Sequence, residues 1–261
     1  MRRTVKALIV FFGVIMVFLS GYKLIEIYLD YKAGDDVYND VSKEYVEHIE
    51  VVIDEGAGGD NLEQETEQEV KERVPVSVDL ESLKATNADV AAWLYLEDSK
   101  INYPVLHADD NDKYLHTMID GTYNKAGSIF MDCRNKGDLS DLNIIIYGHN
   151  MKNDSMFGTL SEYKKQEYFE DHPVMWLITC DKAYKLEVVA ALDTTDDSIA
   201  YDILLSADEL KEYLEWAIKK SDIATNADVS AISQVVTLST CYSSNYDNTR
   251  YIVIGKMTEF E

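Results

Sequence analysis

The sequence predicts a mainly β fold, a closed or nearly closed β-barrel with helical decorations. From residue 75 onward the chain carries eight short apolar segments rich in β-branched and aromatic residues, several of them bounded by turn-forming stretches. Few segments between them have helical spacing, and many short strands with few helices are typical of a barrel. The candidate strands are Trp93–Leu96, Ile101–Leu106, Gly127–Met131, Asn143–Tyr147, Val174–Thr179, Tyr184–Leu192, Val235–Thr240 and Tyr251–Met257.

Four segments of the same region are predicted to be helical. Asp79–Ala85 and Asn87–Trp93 each begin at an N-cap residue, and a third helix is expected near Leu160–Phe169. The strongest prediction begins at Ser206-Ala-Asp-Glu209, a capping box. Apolar residues follow it at helical spacing along 210–218, and we expect that stripe to pack on the domain.

The N-terminus predicts a membrane anchor. Basic residues at positions 2, 3 and 6 precede the apolar run Ala7–Leu19, and apolar character persists to Leu29 despite Lys23 and Glu26. Because no Ala-x-Ala-like cleavage site follows, an uncleaved signal-anchor helix over residues 1–29 is favoured over a cleaved signal peptide. The positive charges would keep the N-terminus inside, so the rest of the chain is expected outside the membrane.

Residues 30–74 form a second region with a different composition. Between Asp30 and Arg73 there are 15 acidic and 4 basic residues, a net charge of −11, and Gly56–Gly59 predicts a flexible joint. We interpret this region as an acidic, solvated stalk, although parts of it could form helices. Residues 75–261 are the predicted globular domain.

Charge and cysteine content exclude or disfavour several classes of function. The net charge of −24 over 261 residues leaves no basic patch for phosphates, so nucleic acid is not an expected partner. Cys133, Cys180 and Cys241 show no Cys-x-x-Cys spacing, which argues against a zinc site. An odd number of cysteines also leaves at least one thiol free if the domain is extracellular.

Three residues suited to acyl transfer are expected at strand ends. Cys241 ends one predicted strand, Arg250 begins the next after the polar loop 242–249, and His149 follows the apolar run 144–148. A guanidinium beside a thiol favours the thiolate and offers fixed donors to an oxyanion. An imidazole can transfer the proton.

Each of these residues taken alone also has a structural interpretation, an inert core cysteine or a turn histidine. The histidine precedes the cysteine, which excludes a papain-like order, and the caspase signature is absent. His107 and His116 flank a polar loop and could line a site, but surface roles are favoured for both.

The combined motifs resemble the catalytic signature of the sortases. They are Ile145-Ile-Tyr-Gly-His-Asn150, Thr237-Leu-Ser-Thr-Cys241 and Arg250. Further segments, within about 78–256, resemble class B sortases, and the helix from Ser206 before the cysteine strand also matches that class. These segments are Asn87–Leu94, Ile101–Val105, Asp110–His116, Lys125–Phe130 and Gly148–Gly158.

The resemblance implies an eight-stranded barrel and a single-pass membrane transpeptidase that needs no cofactor, with its catalytic domain (75–261) outside the membrane. Cys241 would attack the threonine carbonyl of a C-terminal sorting signal on a secreted protein, and His149 would protonate the leaving group. Arg250 would stabilise the oxyanion or position the substrate. An amine of a peptidoglycan precursor, of the lipid II type, would then resolve the thioester. Residues that match the substrate groove by position are Asn111, Leu115, Tyr147 and Ser239.

The resemblance leaves the substrate open, since class B members use NPxTN-like or PxTG-like signals or polymerise pilins. Some members carry an aspartate two residues after the cysteine. This chain has Ser243 there, and Asp247 does not match, so no acidic third catalytic residue is assigned. The alternatives are a cysteine protease, in which water resolves the thioester, and a membrane-tethered binding module with an inert Cys241.

Overall fold

The computed structural model describes residues 2–49, 73–241 and 248–260, and its main feature is a closed barrel of eight strands. The strands in chain order are β1 (Val46–His48), β2 (Val76–Val78), β3 (Val90–Tyr95), β4 (Asn102–His107), β5 (Ile129–Met131), β6 (Asn143–Gly148), β7 (Val174–Ile178), β8 (Ala183–Thr195), β9 (Val235–Cys241) and β10 (Thr249–Phe260). β3 to β10 form the barrel in the order β10-β8-β7-β3-β4-β5-β6-β9. All eight predicted strands are therefore confirmed, as is the mainly β fold class.

Two of the neighbouring strand pairs are parallel, β4 with β5 and β6 with β9, and the other described pairs are antiparallel. The fold buries several large side chains completely, such as Trp93 and Phe157. Both side chains belong to the main hydrophobic core of the protein.

The helices are α1 (Arg2–Tyr45), α2 (Leu80–Thr86), α3 (Gln166–Asp171) and α4 (Ala207–Lys220). Ser206 is the N-cap of α4, as predicted, and its Oγ accepts from the Glu209 amide at 3.3 Å. The Glu209 side chain returns a bond one residue earlier than in a standard capping box, because it accepts from the Leu205 amide at 2.8 Å. The apolar stripe of α4 is buried and α4 packs on β8, as expected. The helix expected near 160–169 is split by the extended residue Lys165 into a 3-10 turn and α3.

The predicted helix Asn87–Trp93 is wrong, because this stretch leads into strand β3. Asn87 caps the end of α2, and its side chain accepts a hydrogen bond from the Asp89 amide at 3.0 Å. Five of the six residues of β3 are buried, and the strand pairs with both β4 and β7. Pairing on both sides outweighs a weak local helical preference.

The interpretation of residues 30–74 as a solvated stalk does not hold for residues 30–48. Helix α1 continues to Tyr45, and its contact face carries Tyr31, Gly34, Tyr38, Val41 and Tyr45, which recur three or four residues apart. Tyr38 is only 4% exposed, and its hydroxyl donates to the Gly127 carbonyl at 2.7 Å. β1 then pairs with β2. Asp36, Asp40 and Glu44 are exposed, whereas Asp30 pairs with Lys125 and Asp35 accepts from the Asn153 amide group. The acidic composition therefore concealed an amphipathic helix that packs on the domain.

The first half of α1 is apolar and exposed. Its most apolar 18-residue window has a mean hydropathy of 2.3, and none of that window is buried in the protein. This is compatible with a membrane anchor over 1–29. The predicted glycine joint, Gly56–Gly59, lies outside the described residues, and the domain boundary at 74/75 stays a prediction.

Candidate active site

Three strand ends meet at one rim of the barrel and bring the predicted catalytic residues together. β6 and β9 run parallel, with Tyr147 opposite Ser239 and Gly148 opposite Thr240. β9 and β10 are antiparallel, with Cys241 opposite Arg250. His149, which follows Gly148, therefore emerges at the same rim. The Cys241 side chain and residues 242–247, including Ser243, Asn245 and Asp247, lie outside the described part of the chain.

A cleft of about 400 Å³ opens at this rim. It is lined by every predicted catalytic and substrate-groove residue whose side chain the structure describes, and by several residues that sequence analysis did not select. The predicted residues are Asn111, Leu115, Tyr147, His149, Ser239 and Arg250; the additional ones are Asp112, Phe130, Asp132, Arg134, Gly148, Asp196 and Tyr201.

His149 is half-buried and held by a backbone group. Its Nε2 lies 2.8 Å from the Leu115 carbonyl, and because a carbonyl only accepts, this nitrogen carries the donated proton. Burial lowers the pKa of His149, the hydrogen bond to Leu115 raises it, and the neighbouring His116 lowers it, with a net decrease. The neutral ring is therefore favoured, and its Nδ1 is the nitrogen left to accept a proton.

The Leu115 carbonyl packs closely against Gly127. Gly127 has φ +55°, and a Cβ at this position would lie 2.5 Å from the Tyr114 carbonyl and would overlap the Leu115 carbonyl. Only glycine fits here without moving the group that binds His149. The sequence predicted Leu115 as a groove residue, whereas the structure adds this role for its main chain.

The Arg250 side chain is partly exposed and makes a long ion pair. Its Nη2 lies 3.3 Å from Asp196 Oδ2, and Nη1 donates to the Thr249 carbonyl at 3.1 Å. The side chains of Arg250 and Asp196 are 25% and 40% exposed, so this pair is weak. A guanidinium held in this way keeps donors that a substrate oxygen can accept from.

A buried carboxylate that sequence analysis missed supports one wall of the cleft. Asp132 is fully buried, and both of its oxygens accept from the Arg134 guanidinium, at 2.9 and 2.7 Å. Tyr147 also donates to it, at 2.7 Å. Burial raises the pKa of Asp132, but the hydrogen bonds from Arg134 and Tyr147 outweigh burial and lower the pKa to about 2. The available sequence signal was an acidic and a basic residue directly after a buried strand.

The same network reaches the cysteine strand. The rings of Tyr147 and Tyr201 stack with centroids 6.1 Å apart, and the Tyr201 and Ser239 hydroxyls lie 2.7 Å apart. Arg134 also donates to the Tyr201 carbonyl at 3.1 Å. Tyr147 and Ser239, both predicted groove residues, are therefore held in place by other side chains. Asn111 is similarly fixed, because its side chain accepts from the Cys133 amide at 2.8 Å.

The other four histidines do not line the cleft, but one of them contacts His149. His48 is exposed in β1, His107 ends β4, and His172 ends α3. His116 is exposed, as expected for a surface residue, but its ring stacks on His149. No group of three or more metal-binding side chains is present among the residues that the structure describes.

Comparisons with known proteins agree with the geometry. Sortase B of Listeria monocytogenes is 35% identical over 181 residues, which cover 69% of this chain and 74% of that protein. Sortase B of Staphylococcus aureus is 29% identical over 244 residues, covering 92% of this chain and 91% of that protein. A crystal structure of a Bacillus anthracis protein described as similar to sortase B matches with a TM-score of 0.70 and 30% identity, covering 88% of this chain and 98% of that one. No protein-family model matches the chain.

Proposed function

This chain belongs to the class B sortases, and from that membership we propose that it cuts a C-terminal sorting signal after threonine through a Cys241 thioester. Sortases are transpeptidases of the cell envelope, so the expected products are a shortened signal and a protein joined to a cell-wall amine. His149 and Arg250 are the proposed catalytic partners of Cys241. The observation that carries the proposal is the cleft that gathers His149 and Arg250 at the end of the strand bearing Cys241.

The proposed reaction has two acyl-transfer steps. His149 Nδ1 takes the proton of the Cys241 thiol, the resulting thiolate attacks the threonine carbonyl, and Arg250 donates to the oxyanion that forms. The C–N bond then breaks, and the leaving amine takes a proton from His149. In the second step His149 Nδ1 accepts a proton from the incoming amine, which attacks the thioester and releases the Cys241 thiolate.

Asn111, Leu115, Tyr147 and Ser239 are proposed to contact the sorting signal. Their support is that all four line the cleft together with His149 and Arg250. The Asp132 network fixes Tyr147, and Tyr201 contacts Ser239, so this wall is preorganised. A sortase B structure that matches this chain with 30% identity and a TM-score of 0.65 has been solved with triglycine, which supports a glycine-type amine as the second substrate.

The proposed location is the cell membrane, with a single crossing by the N-terminal half of α1 and the barrel outside. Its support is the exposed, apolar stretch of that helix together with the preceding basic residues. Secreted proteins with a sorting signal and a lipid II-type precursor are then the proposed partners. A lipid-linked precursor would also lie at the surface to which the enzyme is attached.

Incubation of the full-length protein in detergent with NPxTN-like and PxTG-like peptides, with and without triglycine, tests the proposal. Mass spectrometry should find an acyl group on Cys241 and a product extended by triglycine. Cleavage without transfer would favour the cysteine protease. An unmodified Cys241 that neither reacts with a thiol label nor cleaves either peptide would favour a binding module. The peptide that reacts faster identifies the type of sorting signal.

A further inference from the structure

We propose that His116 is a positioning residue that holds the His149 imidazole in the orientation needed for proton transfer. This inference rests on the catalytic role proposed for His149. The two rings are nearly parallel, with an interplanar angle of 6° and centroids 5.6 Å apart. This is the offset stacked arrangement that aromatic rings favour. His116 is not among the residues that line the cleft, so it acts on His149 and not on the substrate.

Two consecutive residues restrain the His149 ring in different directions. The Leu115 carbonyl accepts from Nε2 at 2.8 Å, and a hydrogen bond in the ring plane opposes rotation of the ring. The His116 ring lies parallel to the imidazole and offset from it, and this contact opposes tilting. Together the two contacts leave Nδ1 as the nitrogen available for proton transfer and limit the directions in which it can point.

The segment that carries both contacts is firmly attached to the barrel. Tyr114 is buried, and its hydroxyl donates to Asp89 at 2.7 Å. The Ser128 amide donates to the Tyr114 carbonyl and the Asn124 amide to the His116 carbonyl, both at 3.0 Å. These backbone contacts do not involve the His116 side chain. Its replacement should therefore leave the segment and the Leu115 carbonyl in place.

His116 could instead act through charge, because a protonated neighbour opposes protonation of His149. The two explanations differ in what phenylalanine does at this position. Phenylalanine keeps a ring that can stack but carries no charge and no nitrogen. The charged groups that line the cleft with His149 remain unchanged in every variant; they are Asp112, Asp132, Arg134, Asp196 and Arg250.

The test compares full-length His116→Ala and His116→Phe with the unaltered protein, all in detergent. The measurements are kcat and KM for transfer of the reactive sorting peptide to triglycine, and the melting temperature. We expect His116→Ala to lower kcat about 2- to 13-fold, the range given by the contribution of one aromatic pair, with an unchanged KM. His116→Phe should keep kcat within about twofold, because it retains the stacking ring.

His172→Ala is the matched control, because His172 stacks on Tyr168 with centroids 4.2 Å apart, away from the cleft. It should leave kcat unchanged. If His116→Ala lowers the melting temperature, His116→Gln replaces it in the comparison. Three results would each overturn the inference. The Ala and Gln variants could keep an unchanged kcat, the effect could be confined to KM, or the His116→Phe protein could be as slow as His116→Ala. If the unaltered protein transfers no peptide, or His149→Ala transfers it normally, the proposed function fails and this inference fails with it.

Discussion

Cys241 and Arg250 are directly opposite each other in the antiparallel pair formed by the last two strands of the barrel. The same register places Ser239 opposite Ile252, so the pairing of the two strands is unbroken up to the rim of the barrel. A cysteine at the end of one strand and an arginine at the start of the next are thus held together by the barrel itself. The pairing fixes their main chains and leaves the cleft open between Arg250 and His149.

The first prediction concerns Arg250. If its only role were the ion pair with Asp196, Arg250→Lys would be nearly neutral, because exposed pairs contribute about 0–1 kcal/mol. If it binds the oxyanion, Lys cannot reproduce the planar donor fork, and both Arg250→Lys and Arg250→Ala should lower kcat about 100- to 1,000-fold. The measurement is kcat at saturating peptide. Asp196→Asn is the control and should change kcat much less; near-normal turnover by Arg250→Lys would exclude the oxyanion role.

The second prediction concerns Cys241. Cys241→Ala should abolish both cleavage and transfer without unfolding the domain, because the thiolate forms the covalent intermediate. Product formation is measured by mass spectrometry and folding by the melting temperature. Cys180→Ala is the control, since Cys180 is exposed and does not line the cleft. Transfer that survives in Cys241→Ala would contradict the assignment of this enzyme as a cysteine transpeptidase.

The third prediction concerns His149. His149→Ala should lower kcat roughly 100- to 10,000-fold, the usual contribution of a general acid–base group. His107→Ala is the comparison, because His107 ends β4 and does not line the cleft. Its kcat should stay close to that of the unaltered protein. Equal losses in the two variants would show that the proton is carried by another group.

The fourth prediction concerns the contact between α1 and the barrel. A soluble chain that begins at residue 30 should melt at a higher temperature than one that begins at residue 75, which lacks Tyr38 and β1. Burial of one large apolar side chain contributes about 1.5–3 kcal/mol, and the Tyr38 hydroxyl also donates to Gly127. Tyr38→Ala in the longer chain should remove much of the difference. Equal melting temperatures for the two chains would mean that residues 30–48 do not stabilise the barrel.

The fifth prediction concerns Asp132 and acid stability. Its pKa is lowered from an ordinary value of 3.8 to about 2, so its ionised form stabilises the folded state above about pH 4. This contribution, about 2 kcal/mol, should be lost as the pH falls from about 4 to 2. The measurement is the free energy of unfolding against pH for the unaltered protein and Asp132→Asn. The two curves should converge at low pH, and parallel curves would contradict the ion pair as the cause.

Local sequence patterns predicted the structure correctly wherever a single segment contained the whole pattern. The apolar, β-branched runs located all eight barrel strands, and the capping box at Ser206 located α4. The motifs around His149, Cys241 and Arg250 also marked three strand ends, because reactive side chains directly follow or precede buried strands. Local patterns failed at Asn87–Trp93, where pairing of β3 with two neighbours overrode the apparent N-cap.

The sequence by itself determined the strands, the strong helix and the three candidate catalytic residues, since each depends on residues adjacent in the chain. Only the tertiary structure decided which residues that are distant in the sequence contact each other. Asp132 joins Tyr147 and Arg134 into one wall, the Leu115 carbonyl and the His116 ring hold His149, and Tyr38 fastens α1 to the barrel. These contacts form only in the folded protein, which brings together residues as far apart as Tyr38 and Gly127, separated by 89 positions. No local periodicity encodes such a separation, because the energy of each contact arises only after both partners have been packed.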